Sequence, residues 1–223
     1  MRRLRAFSHL KEKCEETVAF QDKTITDFAA ELSSAAPVPG GGSVSALVGA
    51  LGTCLASMVG RLTAGKAKYA DVEEEVLALT EEANEVLRAL LALIDADAEA
   101  FAPLSRAYGI PKSDPARSTI MEDALRGACE PPLETMRIVC RAVEIHTRMA
   151  RIGSRLALSD AGVGAAMCRS ALQSASMNVF INTRLMSDRD RAASIEAEAD
   201  ALMGKYGIIA DMTYFYVMSE LRK

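Results

Sequence analysis

Residues 37–43 read Pro-Val-Pro-Gly-Gly-Gly-Ser, and they lead directly into an apolar run of small side chains that extends to Ala64. Prolines disfavour helix before them, and glycines let backbone amides approach a neighbouring group closely. We therefore predict a tight turn, followed by an enclosed helix from Ser43 to about Ala64 with Ser43 as its cap. Two interpretations stay open: the turn simply leads into a core helix, or the free amides at the helix start receive an anionic or polar group.

The composition of the 223-residue chain favours an all-α fold. Half of the residues are hydrophobic, but aromatic residues make up only 5% and tryptophan is absent, so the core must pack through small and flexible side chains. We predict a single-domain helical bundle with long helices over residues 1–223, with residues 1–23 as a peripheral amphipathic extension. The net charge of −4 and the lack of a basic, aromatic-rich stripe argue against a nucleic-acid partner.

Cysteine use and hydropathy restrict the class of protein further. The five cysteines are odd in number and have no paired short spacing, so neither a disulfide framework nor a zinc site is expected. The apolar run over residues 43–59 approaches the length of a membrane span, but its glycines, serines and threonine lower its hydropathy. We expect a soluble, cytoplasmic protein with no membrane partner, no metal and no cofactor.

Cap and breaker residues predict the order of the remaining helices. Thr24 and Asp27 indicate a capping box before a helix from Ile25 to about Ser33. Five further helices are predicted. The first covers residues 71–107 and ends or kinks at Pro103, the second opens at Asp114-Pro115 and runs to about Cys129, and the third runs from Pro131-Pro132 to about Arg155. The fourth is capped by Ser159 or Asp160, and the fifth covers residues 187–223, with possible interruptions at Gly204 and Gly207.

Three acids lie two positions apart near the end of the long predicted helix, at Asp95, Asp97 and Glu99. Helical geometry places Asp95 and Glu99 on one face and Asp97 on another, beside Ile94 and Phe101. An aspartate on an apolar face is partly desolvated, which raises its proton affinity and suits it to act as a general base. The alternative is that all three acids form a solvated helix face.

Several polar residues have both a structural and a functional interpretation. Asn178 and Asn182 share one helical face among apolar neighbours, where they could pin a planar ligand or tie two helices together. Lys66 and its neighbour Lys68 could complement a helix dipole or attract an acidic substrate tail. His146 has no partner at a useful spacing, so we interpret it as an ordinary helix residue; neither a serine-histidine triad nor a histidine metal site is indicated.

Taken together, the chain from about Thr26 onward resembles the cyclodeaminase/cyclohydrolase family of folate one-carbon enzymes. The similar segments, in chain order, are Ala36–Ser43, Ser57–Val59, Leu62–Tyr69, Asp95–Phe101, Ala107–Lys112, Pro132–Leu133, Ser159–Val163 and Asn178–Asn182. Each segment is short, but their order and spacing make the set specific. The sequence departs from the family pattern at Pro103, Ser154 and Arg169, which bears on substrate preference more than on the fold.

The resemblance implies a homodimer, a tetrahydrofolate derivative as substrate, and a folate site beside the glycine turn. It also implies that Asp97 is the catalytic base. The substrate-binding residues expected with it are Pro39, Gly40, Gly41, Gly42, Ser43, Lys66, Asp95, Lys112, Asp160, Asn178 and Asn182. Hydrolysis of 5,10-methenyltetrahydrofolate is the favoured activity, because the stretches Ala107–Lys112 and Met136–Ile145 look closer to those of bacterial cyclohydrolases. The chemistry agrees, since that substrate is already a cationic electrophile and needs only a placed water and a base. The alternatives are ammonia-releasing closure of formiminotetrahydrofolate, or a non-catalytic helical subunit that binds folate or serves assembly.

Overall fold

The computed structural model describes residues 18–223, which form helices and turns with no β-strand within that range. The α-helices are α1 Ile25–Leu32, α2 Gly41–Thr63, α3 Glu73–Tyr108, α4 Arg117–Ile152, α5 Leu158–Thr183 and α6 Arg189–Leu221. Short 3-10 helices cover Phe20–Asp22, Ala67–Val72 and Arg155–Ala157. The predicted all-α class with long helices is confirmed, whereas most of the amphipathic helix predicted in residues 1–23 lies outside the described residues.

Helix α2 lies at the centre of the bundle because its small side chains let neighbouring helices approach closely. It packs against α3, α4 and α5, and Ala46, Ala56 and Val59 on it have no exposed surface. The helix is long and apolar enough to cross a membrane, but 61% of the apolar window is buried inside the protein. That burial is typical of a core helix.

The start of α2 differs from the prediction. The helix begins at Gly41, and Gly40 occupies the N-cap position in an extended conformation with no side-chain cap. Ser43 is already the third helical residue, and its hydroxyl donates to α3 instead of capping its own helix. The prediction that Ser43 caps α2 is therefore wrong, and within residues 18–223 no side chain accepts the amides of Gly41 and Gly42.

The two prolines expected to break the chain lie inside a single helix, because α4 continues through Pro131 and Pro132. The predicted break here is wrong. A proline has no amide to bond the carbonyl four residues back, so Pro132 leaves the Ala128 carbonyl without its helical donor. Asn182 on α5 supplies the replacement, with its Nδ2 atom donating to that oxygen at 3.0 Å. Packing against α5 thus compensates part of the cost of the prolines.

Two further interruptions were predicted and are not seen. Helix α3 continues five residues beyond Pro103, to its end at residue 108, and α6 runs without a break past Gly204 and Gly207. Helix α4 begins later than predicted, because Asp114 Oδ1 accepts the Ala116 amide at 2.8 Å and forms a turn ahead of the helix. Tertiary packing along the full length of these helices outweighs the local helix-breaking tendency of single residues.

The predicted side-chain cap is seen at the start of α1 but not at the start of α5. The Thr24 hydroxyl accepts the Asp27 amide at 3.1 Å at the start of α1, which confirms the predicted cap. Helix α5 begins at Leu158 without a side-chain cap. Ser159 and Asp160 are therefore helical residues of its first turn, and the predicted capping role of either is wrong.

One face of α2 is only partly covered by the described part of the chain. The apolar residues on this face follow steps of four and three, the spacing of a coiled-coil seam. They are Val44, Val48, Leu51, Leu55, Met58 and Leu62, and we call them the α2 stripe. Leu51 is 47% exposed and Leu62 is 45% exposed, so this helix is less enclosed than its composition indicated.

His146 is fully buried where α4 crosses α2 and α5. Its Nε2 atom lies 3.0 Å from the Gly52 carbonyl oxygen, and its Nδ1 atom has no hydrogen-bond partner among residues 18–223. A Cβ atom at Gly164 would lie 2.0 Å from the ring, so a glycine is needed for the crossing. Burial lowers the pKa of His146 to about 4, which keeps the ring neutral at pH 7 and agrees with a structural role.

Candidate active site

The glycine turn and the acidic part of α3 meet in one cavity of about 240 Å³. The segment before α2 and the helices α2, α3, α4 and α5 all contribute to its wall. The lining residues are Pro37, Val38, Gly40, Gly41, Gly42, Asp97, Phe101, Ala128, Asn178, Ile181 and Asn182. We call this space the glycine-turn cavity. Asp97 is the one residue with an acidic or basic side chain that residues 18–223 contribute to that lining, so charge chemistry in the cavity depends on it.

Asp97 is held against the first turn of α2 by Ser43. Its Oδ2 atom accepts the Ser43 amide at 2.8 Å and faces the Ser43 hydroxyl oxygen at 3.1 Å. This contact requires Gly42, because a Cβ atom at that position would lie 1.9 Å from Asp97 Oδ1 and 2.4 Å from its carboxyl carbon. Glycine at position 42 therefore allows the Asp97 carboxylate to contact the backbone of α2.

Two opposing effects act on the pKa of Asp97. Burial raises it above the ordinary aspartate value and is the larger effect, while the hydrogen bonds from the Ser43 hydroxyl and amide lower it. Desolvation disfavours the charged carboxylate, and donated hydrogen bonds favour it. The net result is a carboxylate with increased proton affinity in a largely apolar cavity, as a general base requires.

The two asparagines of α5 form the wall opposite the glycine turn. Asn178 Nδ2 donates to the Ser174 carbonyl at 2.8 Å, and Asn182 Nδ2 donates to the carbonyls of Ala128 and Asn178, both at 3.0 Å. Both hydrogens of the Asn182 amide nitrogen are thereby used, and the two carbonyl acceptors fix which end of the amide is nitrogen. Oδ1 of Asn182 remains as the acceptor that the side chain can offer a ligand.

Asp95, which was also predicted to bind substrate, does not line the glycine-turn cavity. Its two carboxylate oxygens accept the backbone amides of Phe20 at 2.6 Å and Gln21 at 3.2 Å. The residue therefore ties the segment before α1 to α3. The predicted separation of Asp97 from its acidic neighbours on the helix is seen, since Glu99 is exposed.

Lys66 and Asp160 lie far from the glycine-turn cavity within one copy of the chain. Asp160 is in the first turn of α5, and Asn178 follows it by about 27 Å along the helix at 1.5 Å per residue. Lys66 follows the end of α2, about 35 Å from its glycine start by the same rise. Both were predicted to bind substrate, and the structure does not bring either to this cavity.

Three more of the predicted residues lie near the cavity without lining it. Pro39 is buried behind the turn, and Ser43 is fully buried behind Asp97. Lys112 belongs to a neighbouring cavity of about 400 Å³, beside Asp114 and Arg117, at the end of α3. Only Lys112 among the predicted lysines thus lies at the same end of the bundle as Asp97.

Sequence reasoning did not identify Ala128 as part of the site. The available signal was Pro132, since a proline inside a helix frees the carbonyl four residues earlier. Because the two prolines were interpreted as a helix break, this carbonyl was not considered. Larger cavities of about 410 Å³ and 670 Å³ lie beside α6, but no carboxylate or amide side chain of the described residues lines either of them.

The fold and the cavity together define a protein that is helical throughout residues 18–223 and whose candidate active site is one half-buried carboxylate at a glycine-built helix start. Residues 24–201 match the family model described as formiminotransferase-cyclodeaminase. The chain belongs to this cyclodeaminase/cyclohydrolase family, which is a family of enzymes.

Individual relatives agree with this assignment. The chain is 34% identical to methenyltetrahydrofolate cyclohydrolase from Methylorubrum extorquens, over 90% of this chain and 98% of that protein. It is 33% identical to formimidoyltransferase-cyclodeaminase from Rattus norvegicus, over 80% of this chain but only 35% of the rat protein. The crystal structure of formiminotetrahydrofolate cyclodeaminase from Thermotoga maritima superposes with a TM-score of 0.77 at 27% identity, covering 89% of this chain and 98% of that chain.

Proposed function

We propose that the protein hydrolyses 5,10-methenyltetrahydrofolate to 10-formyltetrahydrofolate in the glycine-turn cavity. The observation that carries this proposal is the Asp97 carboxylate, which is held by Ser43 in a cavity to which the described part of the chain contributes no other acidic or basic side chain. The bacterial cyclohydrolase relative supports the same choice, because the similarity extends over 98% of its length. No metal or cofactor is part of the proposed reaction.

In the proposed reaction Asp97 removes a proton from a water molecule while the water oxygen bonds to the bridging carbon. That carbon belongs to a cationic amidinium, so the addition neutralises it and gives a tetrahedral carbinolamine. The protonated Asp97 then returns its proton to the pterin nitrogen N5 as the carbon–N5 bond breaks. The carbinolamine hydroxyl loses its proton to solvent, and the formyl group stays on N10.

The charge of the cavity suits this substrate. A cationic amidinium beside Asp97 would favour the ionised carboxylate and so lower its pKa on binding, opposing the effect of burial. The uncovered amides at the start of α2 can meet a polar group of the same ligand. Asn178 and Asn182 would orient the pterin, and Lys112 is the lysine best placed to attract a glutamate tail.

Ammonia-releasing closure of formiminotetrahydrofolate is the second candidate. It is supported by the structural similarity to the Thermotoga maritima cyclodeaminase, and the same carboxylate could serve its proton transfers. Purified protein incubated separately with each substrate separates the candidates: loss of the methenyl chromophore indicates the cyclohydrolase, and ammonia release from the formimino compound indicates the cyclodeaminase. If neither occurs but folate binds, the protein is a binding or assembly subunit.

The role of Asp97 is tested by replacing it with asparagine, which keeps its shape and removes its charge. We expect kcat to fall at least about 10²-fold, the lower end of what general-base catalysis contributes. Glu99→Gln is the matched control, since it removes an exposed carboxylate from the same helix and should leave kcat unchanged. Turnover of Asp97→Asn within a few fold of the wild type would refute the base assignment.

We also propose that the protein is a cytoplasmic homodimer in which the α2 stripes of two copies pack together. Residues with coiled-coil spacing and exposed leucines favour a helix as the partner. In an antiparallel pair, the Lys66 end of one α2 would lie beside the glycine turn of the other, which is the arrangement in which Lys66 and Asp160 could reach a bound folate. The proposed roles of those two residues depend on it.

Sedimentation velocity tests this interface. Leu51→Glu places a charge in the α2 stripe and should convert the dimer to monomer. Leu77→Glu is the control, because Leu77 is 53% exposed on α3 and outside the stripe. A wild-type protein that sediments as a monomer at micromolar concentration would contradict the dimer.

A further inference from the structure

We infer that Ser43 is a positioning residue whose hydroxyl follows the charge of Asp97, donating to the carboxylate when Asp97 is ionised and to the Ile94 carbonyl when Asp97 is protonated. This inference rests on the proposed role of Asp97 as the base. The geometry that carries it is a hydroxyl with two acceptors: Ser43 Oγ lies 2.9 Å from Ile94 O and 3.1 Å from Asp97 Oδ2.

A serine hydroxyl has one hydrogen, so it cannot donate to both acceptors at once. A charged carboxylate is the stronger acceptor, because charge-assisted hydrogen bonds are about twice as strong as neutral ones. Once the carboxyl group is neutral, the Ile94 carbonyl becomes a comparable or better acceptor. Ser43 is fully buried, so water does not compete with either arrangement.

The same geometry distinguishes the two oxygens of Asp97. Oδ2 accepts the Ser43 amide at 2.8 Å. Because a backbone amide, unlike a hydroxyl, cannot rotate to another acceptor, this hydrogen bond stays whether Asp97 is ionised or protonated. Oδ1 lies over Gly42, and no hydrogen bond to it is formed from within residues 18–223. The proton taken from water therefore goes to Oδ1, while the Ser43 amide holds Oδ2 and keeps the carboxyl plane fixed through the transfer.

Other ionisable groups do not account for this behaviour. The parts of α2, α4 and α5 that line the cavity contribute glycine, alanine, isoleucine and asparagine side chains. Among residues 18–223, the charged side chains nearest to Asp97 in sequence are on its own helix: Asp95, whose oxygens are bound to backbone amides, and Glu99, which is exposed. Ser43 is thus the group in contact with Asp97 that can respond to its protonation.

The test compares Ser43→Ala with Ser45→Ala in the full chain. Ser45 is also buried in the first turns of α2, but its hydroxyl bonds the Gly41 carbonyl of its own helix and not Asp97. Two quantities are measured: kcat for methenyltetrahydrofolate at pH 6 and pH 8, and the carboxyl ¹³C titration of Asp97, assigned with Asp97→Asn. Ser43→Cys, with a weak donor of similar size, is a second variant at the same site.

Loss of the hydroxyl should make Asp97 harder to ionise. We expect Ser43→Ala to lower kcat more at pH 6 than at pH 8, with a difference of up to about tenfold, the limit set by a loss of about 1.4 kcal/mol in one hydrogen bond to a charged group. The NMR titration should move to higher pH in Ser43→Ala and Ser43→Cys, and stay in place in Ser45→Ala. An unmoved titration, with kcat reduced equally at both pH values, would overturn the inference.

The outcome is separable from that of the proposed function. If Asp97→Asn remains active, the base assignment fails, but the NMR titration still reports whether Ser43 responds to the charge of Asp97. If Asp97→Asn is inactive and the titration is unmoved by Ser43→Ala, the base assignment stands and the inference about Ser43 fails.

Discussion

Replacing Gly42 with alanine should inactivate the enzyme while leaving most of its fold intact. The added Cβ atom would lie 1.9 Å from Asp97 Oδ1, whereas real Cβ contacts are not seen below 3.0 Å. The carboxyl group must therefore move by about 1 Å or more, and a misplacement of that size can cost about 10²-fold in rate. This loss corresponds to about 2.7 kcal/mol in the activation free energy.

The assay is stopped-flow loss of the methenyl chromophore, with thermal unfolding followed by circular dichroism. Weaker contacts between Ser43 and Asp97 should cost about 1–3 kcal/mol of unfolding free energy, partly offset by the better helix propensity of alanine, worth about 1 kcal/mol. Gly204→Ala is the matched control, because it adds a methyl group to an exposed helix position with no atom within 4 Å. Wild-type kcat, within about threefold, in a folded Gly42→Ala protein would refute the reasoning.

Three further predictions concern stability and ligand binding. The pKa of His146 is about 4 in the folded protein, against 6.5 for an exposed histidine. Between these two pH values the unfolded chain therefore binds more protons than the folded one. The free energy of unfolding should fall by up to about 3 kcal/mol as the pH drops from 6.5 to 4. Urea unfolding at both pH values should show a smaller pH dependence in His146→Gln, and an equal dependence would contradict this. Asn182→Ala should raise KM more than it lowers kcat, because it removes a ligand acceptor and not the base; saturation kinetics would show the reverse if Asn182 took part in proton transfer. Pro132→Ala should raise the free energy of unfolding by about 1–3 kcal/mol, because it restores a helix amide. It should also raise KM, because the restored amide competes with Asn182 for the Ala128 carbonyl. An unchanged KM would show that this contact does not position Asn182.

Much of the fold could be predicted from the sequence because apolar periodicity and composition both indicate helices. The proximity of Asp97 to the glycine turn was also predictable in outline, through the resemblance and through the apolar neighbours of Asp97. Local rules failed where a distant residue compensates, as at Pro132, where an asparagine 50 positions later supplies the missing donor. A single sequence does not show such compensation, because it depends on which helices become neighbours.

The placement of the other site residues could not be predicted for a geometric reason. A helix of 26 residues such as α5 extends about 39 Å at 1.5 Å per residue, so two of its residues can belong to opposite ends of the bundle. Asp160 and Asn178 are such a pair. The sequence does not show which end of α5 lies at the glycine turn. Only the packing of the helices shows that Asn178 lies at the cavity and Asp160 far from it.

The attachment of Asp95 to the backbone of Phe20 and Gln21 sets a limit on how far the chain can be shortened. Phe20 also packs edge-to-face on Phe28, with ring centroids 6.4 Å apart, so this short segment is attached to α3 at Asp95, two residues before Asp97. Removal of Phe20 and Gln21 would leave the Asp95 carboxylate without these two backbone donors. Expression variants with trimmed or tagged starts should therefore keep Phe20 and everything after it.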